Sequence, residues 1–176
     1  MIHIVLYRPE KPMNTGNIMR TCVAIKAKLH IIGPISFSLG EKEVKRCGMD
    51  YIDKLSMEIH ENYEDFVKKY PDANIYYLTR YGKKVYSSYN YKDSCLDYFL
   101  MFGRESTGIP HDILRAHPDR LCRIPMVSDA RSLNLSNCVA LMAYEVLRQQ
   151  GFENLATQEE IKGNDFLFNE VEDETK

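Results

Sequence analysis

The chain has 176 residues, 44% of them hydrophobic and 27% charged, with a formal net charge of −2 at pH 7. That length suits one domain, which can bury about 70% of its unfolded surface without staples. The composition is that of an ordinary globular protein, and no apolar run approaches the ~18 residues of a membrane span. The charge is uneven: residues 153–176 hold eight acids and two lysines, a net −6, which leaves +4 on residues 1–152. A mildly basic body can bind a polyanion, although a charge of this size is also ordinary scatter.

The opening Met1-Ile2-His3-Ile4-Val5-Leu6-Tyr7 has no basic leader and reads as a first strand, Ile2–Tyr7. Further strands are predicted at Leu29–Ile32, Ile75–Thr79, Tyr98–Phe102 and Leu121–Ile124, with a weaker one at Tyr51–Leu55. Helices are predicted at Thr15–Lys28, Glu41–Cys47, Tyr63–Tyr70, His111–Ala116 and Asn134–Gln150. The alternation implies an α/β fold with a mainly parallel sheet covered on both faces. The last helix should end at Gly151. The acidic segment 153–176 is too sparsely apolar for a second core and is expected to dock weakly or stay disordered.

The five cysteines (Cys22, Cys47, Cys95, Cys122, Cys138) are scattered and never form a C-x-x-C pair. They predict reduced thiols and a cytoplasmic protein. The five histidines do not cluster with cysteines or carboxylates at ligand spacing, so no metal is expected.

In α/β sheets, ligands sit beyond the carboxyl ends of strands, and three segments there could carry chemistry. In the first, Asn14-Thr15-Gly16-Asn17-Ile18-Met19-Arg20, Asn14 or Thr15 can cap a helix and Gly16 lets a ligand approach the backbone. Ile18, Cys22 and Ile25 form its buried stripe, while Asn17 and Arg20 share another face. A capped surface helix with a solvated arginine accounts equally for this segment. The second, Gly103-Arg104-Glu105-Ser106-Thr107-Gly108-Ile109-Pro110, has P-loop spacing without the lysine that grips phosphate, and no dinucleotide fingerprint exists anywhere. It is either a ligand loop of another kind or an ordinary turn. The third runs from Ile124-Pro125-Met126 to Ser132-Leu133-Asn134-Leu135-Ser136-Asn137 and enters the last helix. On that helix Leu135, Cys138, Val139, Met142 and Val146 make a core face. Asn137, Leu141, Tyr144 and Arg148 lie opposite, where a second chain or a ligand could dock, or where one stray leucine sits in solvent.

Taken in order, Asn14–Arg20, Phe102–Pro110, Ile124–Met126 and Ser132–Asn137 resemble the motifs of the SPOUT RNA methyltransferases. With the opening Ile4-Val5-Leu6-Tyr7-Arg8-Pro9 and the compact length, the chain is most similar to the minimal branch, the tRNA wobble-nucleotide (cytidine/uridine) 2′-O-methyltransferases. The resemblance covers residues 2–152, read as a single domain. It implies a deep C-terminal trefoil knot, which ordinary topology rules do not predict. It further implies S-adenosyl-L-methionine (SAM) as methyl donor, no metal, a homodimer, and the anticodon stem-loop of tRNA as partner, modified at nucleotide 34. Carried over by position, SAM would be held by Leu78, Gly103, Glu105, Gly108, Ile124, Met126, Ser132, Leu133 and Asn134. Catalysis would involve Arg20, Tyr144, Asn17 and Ser136. Arg104-Glu105-Ser106 stands where many wobble methylases carry Pro-Glu-Thr, and the acidic tail exceeds the minimal pattern. The alternatives are ribose methylation of ribosomal RNA and a non-catalytic RNA- or nucleotide-binding protein of the same fold.

Overall fold

Uninterrupted apolar runs become strands buried on both faces. In the computed structural model, which describes residues 1–38 and 54–168, β1 (Ile2–Tyr7) and β6 (Tyr98–Phe102) are buried along their whole length. They pair in parallel, Ile4 beside Leu100, at the centre of the sheet. Around them stand β2 (Lys28–Ile32), β3 (Met57–His60), β4 (Ile75–Leu78), β5 (Lys84–Val85) and β7 (Leu121–Arg123), in the order β3-β2-β1-β6-β4-β7-β5. Every one of these pairings is parallel.

Among the described residues, four helices cover the two faces: α1 (Pro12–Ala24), α2 (Tyr63–Lys69), α3 (His111–Ala116) and α4 (Leu135–Gln149). Alternate residues of each strand point to opposite sides. Ile4, Leu6, Leu29, Ile31 and Leu100 pack against Ile18, Met19 and Cys22 of α1 and Val139, Met142 and Val146 of α4. Val5, Tyr7, Ile32, Phe99 and Met101 pack against Phe66 of α2 and Ile113 and Leu114 of α3. Each such fully buried side chain contributes roughly 1.5–3 kcal/mol.

The parallel α/β layers, the central strands and the core face of α4 agree with the sequence reading. Several boundaries do not. The first helix begins at Pro12, not Thr15, and ends at Ala24, not Lys28. Proline suits the first helical position because its missing N–H has no partner there anyway. Asn14 and Thr15 therefore do not cap this helix, and Gly16 lies buried inside it rather than in a loop. The chain leaves the helix through Lys26 at φ 53°, with Ala27 N donating to Cys22 O. Of the weak strand expected at Tyr51–Leu55, the described residues Lys54 and Leu55 are not in a strand, and β3 begins two residues beyond Leu55; residues 51–53 and the expected helix Glu41–Cys47 lie outside the described residues. The two-residue β5 was not anticipated.

At its end α4 terminates as expected, with Phe152 N reaching back to Leu147 O and Gly151 at φ +69°. The helix is also tied to the strand β6 approach. The Gln149 side chain accepts from Tyr91 N and donates to Tyr89 O, and Gln150 donates to Tyr91 O. Beyond it, residues 153–168 form turns, in which Ile161, Leu167 and Phe168 are exposed. Among the described residues, no helix is long and apolar enough to cross a membrane.

Candidate active site

The carboxyl ends of β4, β6 and β7 open onto a cavity of about 500 Å³. Such a volume lies in the range that holds a nucleoside-sized ligand. All nine residues expected to hold the cofactor line it: Leu78, Gly103, Glu105, Gly108, Ile124, Met126, Ser132, Leu133 and Asn134. Leu78 closes β4, Gly103 follows β6, and Ile124 follows β7, so three strand ends bring together segments dozens of residues apart.

The loop after β6 folds back on itself. Arg104 N donates to Gly108 O at 3.2 Å and Gly108 N to Arg104 O at 3.0 Å. Gly108 makes the turn at φ +74°. A Cβ on Gly103 would collide with the backbone of Gly108 and Ile109, so only glycine permits this closure.

Carboxylates then fasten the loop to its neighbours. Glu105 accepts from Glu10 N at 2.9 Å, Lys11 N at 3.3 Å and Asn14 Nδ2 at 3.0 Å. This is the actual anchor of the α1 entrance, supplied from 95 residues away. Reciprocally, Glu10 accepts from Ser106 N and Oγ at 2.9 and 2.7 Å. Those bonds from Ser106 hold the Glu10 carboxyl below its ordinary pKa. Buried Asn14 completes the bridge: its Oδ1 accepts from Asn134 Nδ2 at 2.9 Å. Asn134 in turn caps α4, its Oδ1 accepting from Ser136 N and Oγ. One chain of side chains, Glu105–Asn14–Asn134, thus joins all three motif segments. Sequence reading saw Asn14 only as a cap, and it missed Thr79, Arg80 and Tyr81, which also line the cavity just past the end of β4.

The four residues expected in catalysis are not in the cavity wall. Arg20 and Asn17 are exposed on α1, and Tyr144 is exposed on α4. Ser136 is partly buried in the first turn of α4. The helices α1 and α4 pack against each other. Along their exposed surfaces lie Met13, Leu141 and Tyr144. Basic groups border the cavity: Lys11, Arg80, Arg104 and Arg131 line it, and the guanidinium groups of Arg8 and Arg104 lie 5.3 and 5.9 Å from the centre of the Tyr7 ring. Cys138 also lines the cavity, and burial pushes its thiol upward, so it is protonated near neutrality and poorly nucleophilic.

Comparison with known proteins places these features among related chains. The family model described as the SpoU rRNA Methylase family matches residues 1–144. The tRNA (cytidine(34)-2′-O)-methyltransferase of Escherichia coli is 43% identical over 153 residues, covering 86% of this chain and 96% of that protein. A Listeria innocua protein that bears the same name provisionally is 47% identical over 150 residues, covering 85% of this chain and 89% of its own. A solved structure described as giving insight into 2-OH methylation of C/U34 on tRNA superimposes with a TM-score of 0.79 at 34% identity, over 87% of this chain and 98% of that one.

Proposed function

The chain belongs to the SpoU methylase family, and from that premise we infer that it is a SAM-dependent tRNA 2′-O-methyltransferase acting on the ribose of nucleotide 34. The observation that carries this reading is the Glu105–Asn14–Asn134 bridge, which joins three motif segments around one cavity at the strand ends. The cavity suits the methyl donor chemically. Leu78, Ile124, Met126 and Leu133 supply apolar walls for an adenine, and the closed loop after Gly103 offers backbone groups at short range.

SAM supplies a methyl group on a sulfonium that is already activated, so the residues need only align the attacking oxygen and manage its proton. The ribose 2′-oxygen forms the new bond to carbon as the carbon–sulfur bond breaks, and the hydroxyl proton leaves to base or solvent. Arg20 is the candidate for lowering the cost of charge on that oxygen. A guanidinium is a poor base near neutrality but a strong electrostatic partner for an alkoxide and a phosphate. Asn17 and Ser136 would orient the site.

Because Arg20, Asn17 and Tyr144 face outward, the reading needs a second surface to complete the site. We take that to be a second copy of the chain, docked on the exposed surfaces of α1 and α4 near Met13, Leu141 and Tyr144. Residues 1–152 would then form the single catalytic domain, with the knot implied by the resemblance in its C-terminal part and 153–176 an appended acidic tail. The anticodon stem-loop would be the part of tRNA recognised, tracked by the basic rim around the cavity, in the cytoplasm.

The decisive experiment incubates purified protein with labelled SAM and total tRNA from a strain lacking the gene, then locates the product by nucleoside mass spectrometry. A 2′-O-methylated nucleotide 34 in a few tRNAs is the expected result. Transfer to ribosomal RNA alone would overturn the substrate, and SAM binding without any transfer would overturn the enzyme reading.

A further inference from the structure

Parallel strands place residues 27–30 positions apart in sequence side by side, and here they assemble a row of three imidazoles remote from the cavity. His3 of β1, His30 of β2 and His60 of β3 are all buried and lie on the α2 side of the sheet, against Phe66, Tyr70 and Phe99. His3 Nδ1 is 2.9 Å from His30 Nε2, and His30 Nδ1 is 3.1 Å from His60 Nε2. Glu58, two residues before His60, brings Oε2 to 3.9 Å from both His30 Nδ1 and His60 Nε2. Along the sequence no histidine stands with cysteines or carboxylates at ligand spacing, yet across the sheet His30, Glu58 and His60 come together, because spacing along the chain does not reveal neighbours on adjacent strands.

We propose that His30, Glu58 and His60 form a structural binding site for a borderline divalent cation of the zinc class. Sides of 3.1, 3.9 and 3.9 Å define a triangle whose three corners are equidistant from a point about 2.1 Å away. That is the bond length of Zn²⁺ to imidazole nitrogen and carboxylate oxygen. Two imidazoles and one carboxylate suit zinc and its neighbours rather than magnesium or calcium. Glu58 is the partly exposed corner, so a fourth ligand can come from water.

The surroundings match what ligating histidines require. A cation on His30 Nδ1 leaves its proton on Nε2, which then donates to His3 Nδ1. His3 Nε2 is otherwise a buried nitrogen without a hydrogen-bond partner. With the tautomer set this way its proton is on the side of Asp97 Oδ1, 3.8 Å away, an exposed oxygen that also pairs with the N-terminal ammonium at 3.0 Å. Opposing the cation, Lys28 lies 2.6 Å from Glu58 Oε1, Lys69 lies 3.0 Å from Oε2, and Tyr70 donates to Oε2 at 2.8 Å. Lys28 can keep Oε1 while the metal takes Oε2, and Lys69, exposed, can swing away. The site would clip edge strand β3 to β2 and take no part in methyl transfer.

The test uses full-length protein stripped with chelator, then titrated with zinc by calorimetry and followed by thermal unfolding. One zinc per chain, with a rise of several degrees in Tm, is expected. Glu58→Gln, which leaves the buried imidazoles in place, should weaken zinc at least tenfold, while the near-UV circular dichroism of the metal-free variant stays that of the parent. Cobalt substitution provides a reading on the parent itself: visible bands of a nitrogen–oxygen site without a thiolate charge-transfer band. Absence of stoichiometric binding, unchanged zinc affinity in Glu58→Gln, or a thiolate band that reports a cysteine would each overturn the proposal.

Discussion

Replacing Gly103 by alanine tests whether the closed loop after β6 shapes the cavity proposed for SAM. The added methyl would meet Gly108 and Ile109 backbone, which has no side-chain rotamer through which to yield. The loop must retreat by roughly 1 Å or more to restore ordinary contact. That movement breaks the two bonds between Arg104 and Gly108, about 1 kcal/mol each, and adds ~1–3 kcal/mol of overpacking strain. The total, ~3–5 kcal/mol, exceeds the 1.4 kcal/mol that corresponds to a factor of ten in affinity. SAM binding by calorimetry should therefore fall at least ~100-fold. The β6 core stays packed, so Tm should drop by no more than ~10–20 °C. Gly108→Ala is the internal control. Its Cβ would have open space, and only the φ of +74° resists it, a cost of ~1–2 kcal/mol. Wild-type SAM affinity in Gly103→Ala, or a larger loss in Gly108→Ala than in Gly103→Ala, would refute the reasoning.

Glu105→Gln puts an amide NH2 where one carboxylate oxygen now accepts from backbone N–H; losing a charge-assisted bond of ~1.5–3 kcal/mol should weaken SAM about 10- to 100-fold, read by the same titration. Arg20→Lys should bind SAM normally, since Arg20 is outside the cavity wall, yet lose ~100-fold or more in single-turnover methyl transfer because the planar fork is gone; unaltered turnover would remove Arg20 from the site. Acid should destabilise the metal-free protein in a defined window. Burial, helped by the neighbouring His3 and His60, holds His30 down to about 3, against 6.5 unfolded. The unfolded chain therefore takes up the extra proton, and stability present above pH 6.5 is lost as pH falls toward 3, about 2 kcal/mol of it by pH 5. Glu58, held down to about 2 by Lys28, adds its own loss below pH 4.5. Urea unfolding in chelator at pH 7.5 and pH 5 measures this, and His30→Gln should reduce the difference without abolishing it, because burial also holds His3 and His60 down.

What the sequence disclosed depended on whether the cause was local. Ile2–Tyr7 and Tyr98–Phe102 were readable to the residue because both faces of each strand are buried and the whole run is apolar. Met57-Glu58-Ile59-His60 hid as a strand because its polar residues are satisfied by Lys28 and His30 on the next strand and by Lys69 and Tyr70 at the end of α2. The start of α1 was misplaced for the same reason: the groups that receive its approach come from Glu105, far along the chain. That the nine residues expected at the cofactor would gather around one cavity was legible through the resemblance and through the rule that ligands collect at strand ends. The hub role of Asn14 was not, since its two partners lie 91 and 120 residues away.

The strand order also dictates how a nascent chain can acquire its pocket. The central strand β1 emerges first but pairs on one side with β6, 96 residues later, and β7 must enter between β4 and β5, both made earlier. Non-local parallel pairing of this kind is slow, because the chain closes large loops before any contact rewards it. A polypeptide still leaving the ribosome thus carries an open apolar edge on β1 until residue Phe102 is free, the kind of edge that chaperones cover. The cavity itself is finished only when Asn134 reaches Asn14. Ligand binding would then report that synthesis has passed the last motif, and truncated products could not sequester the methyl donor.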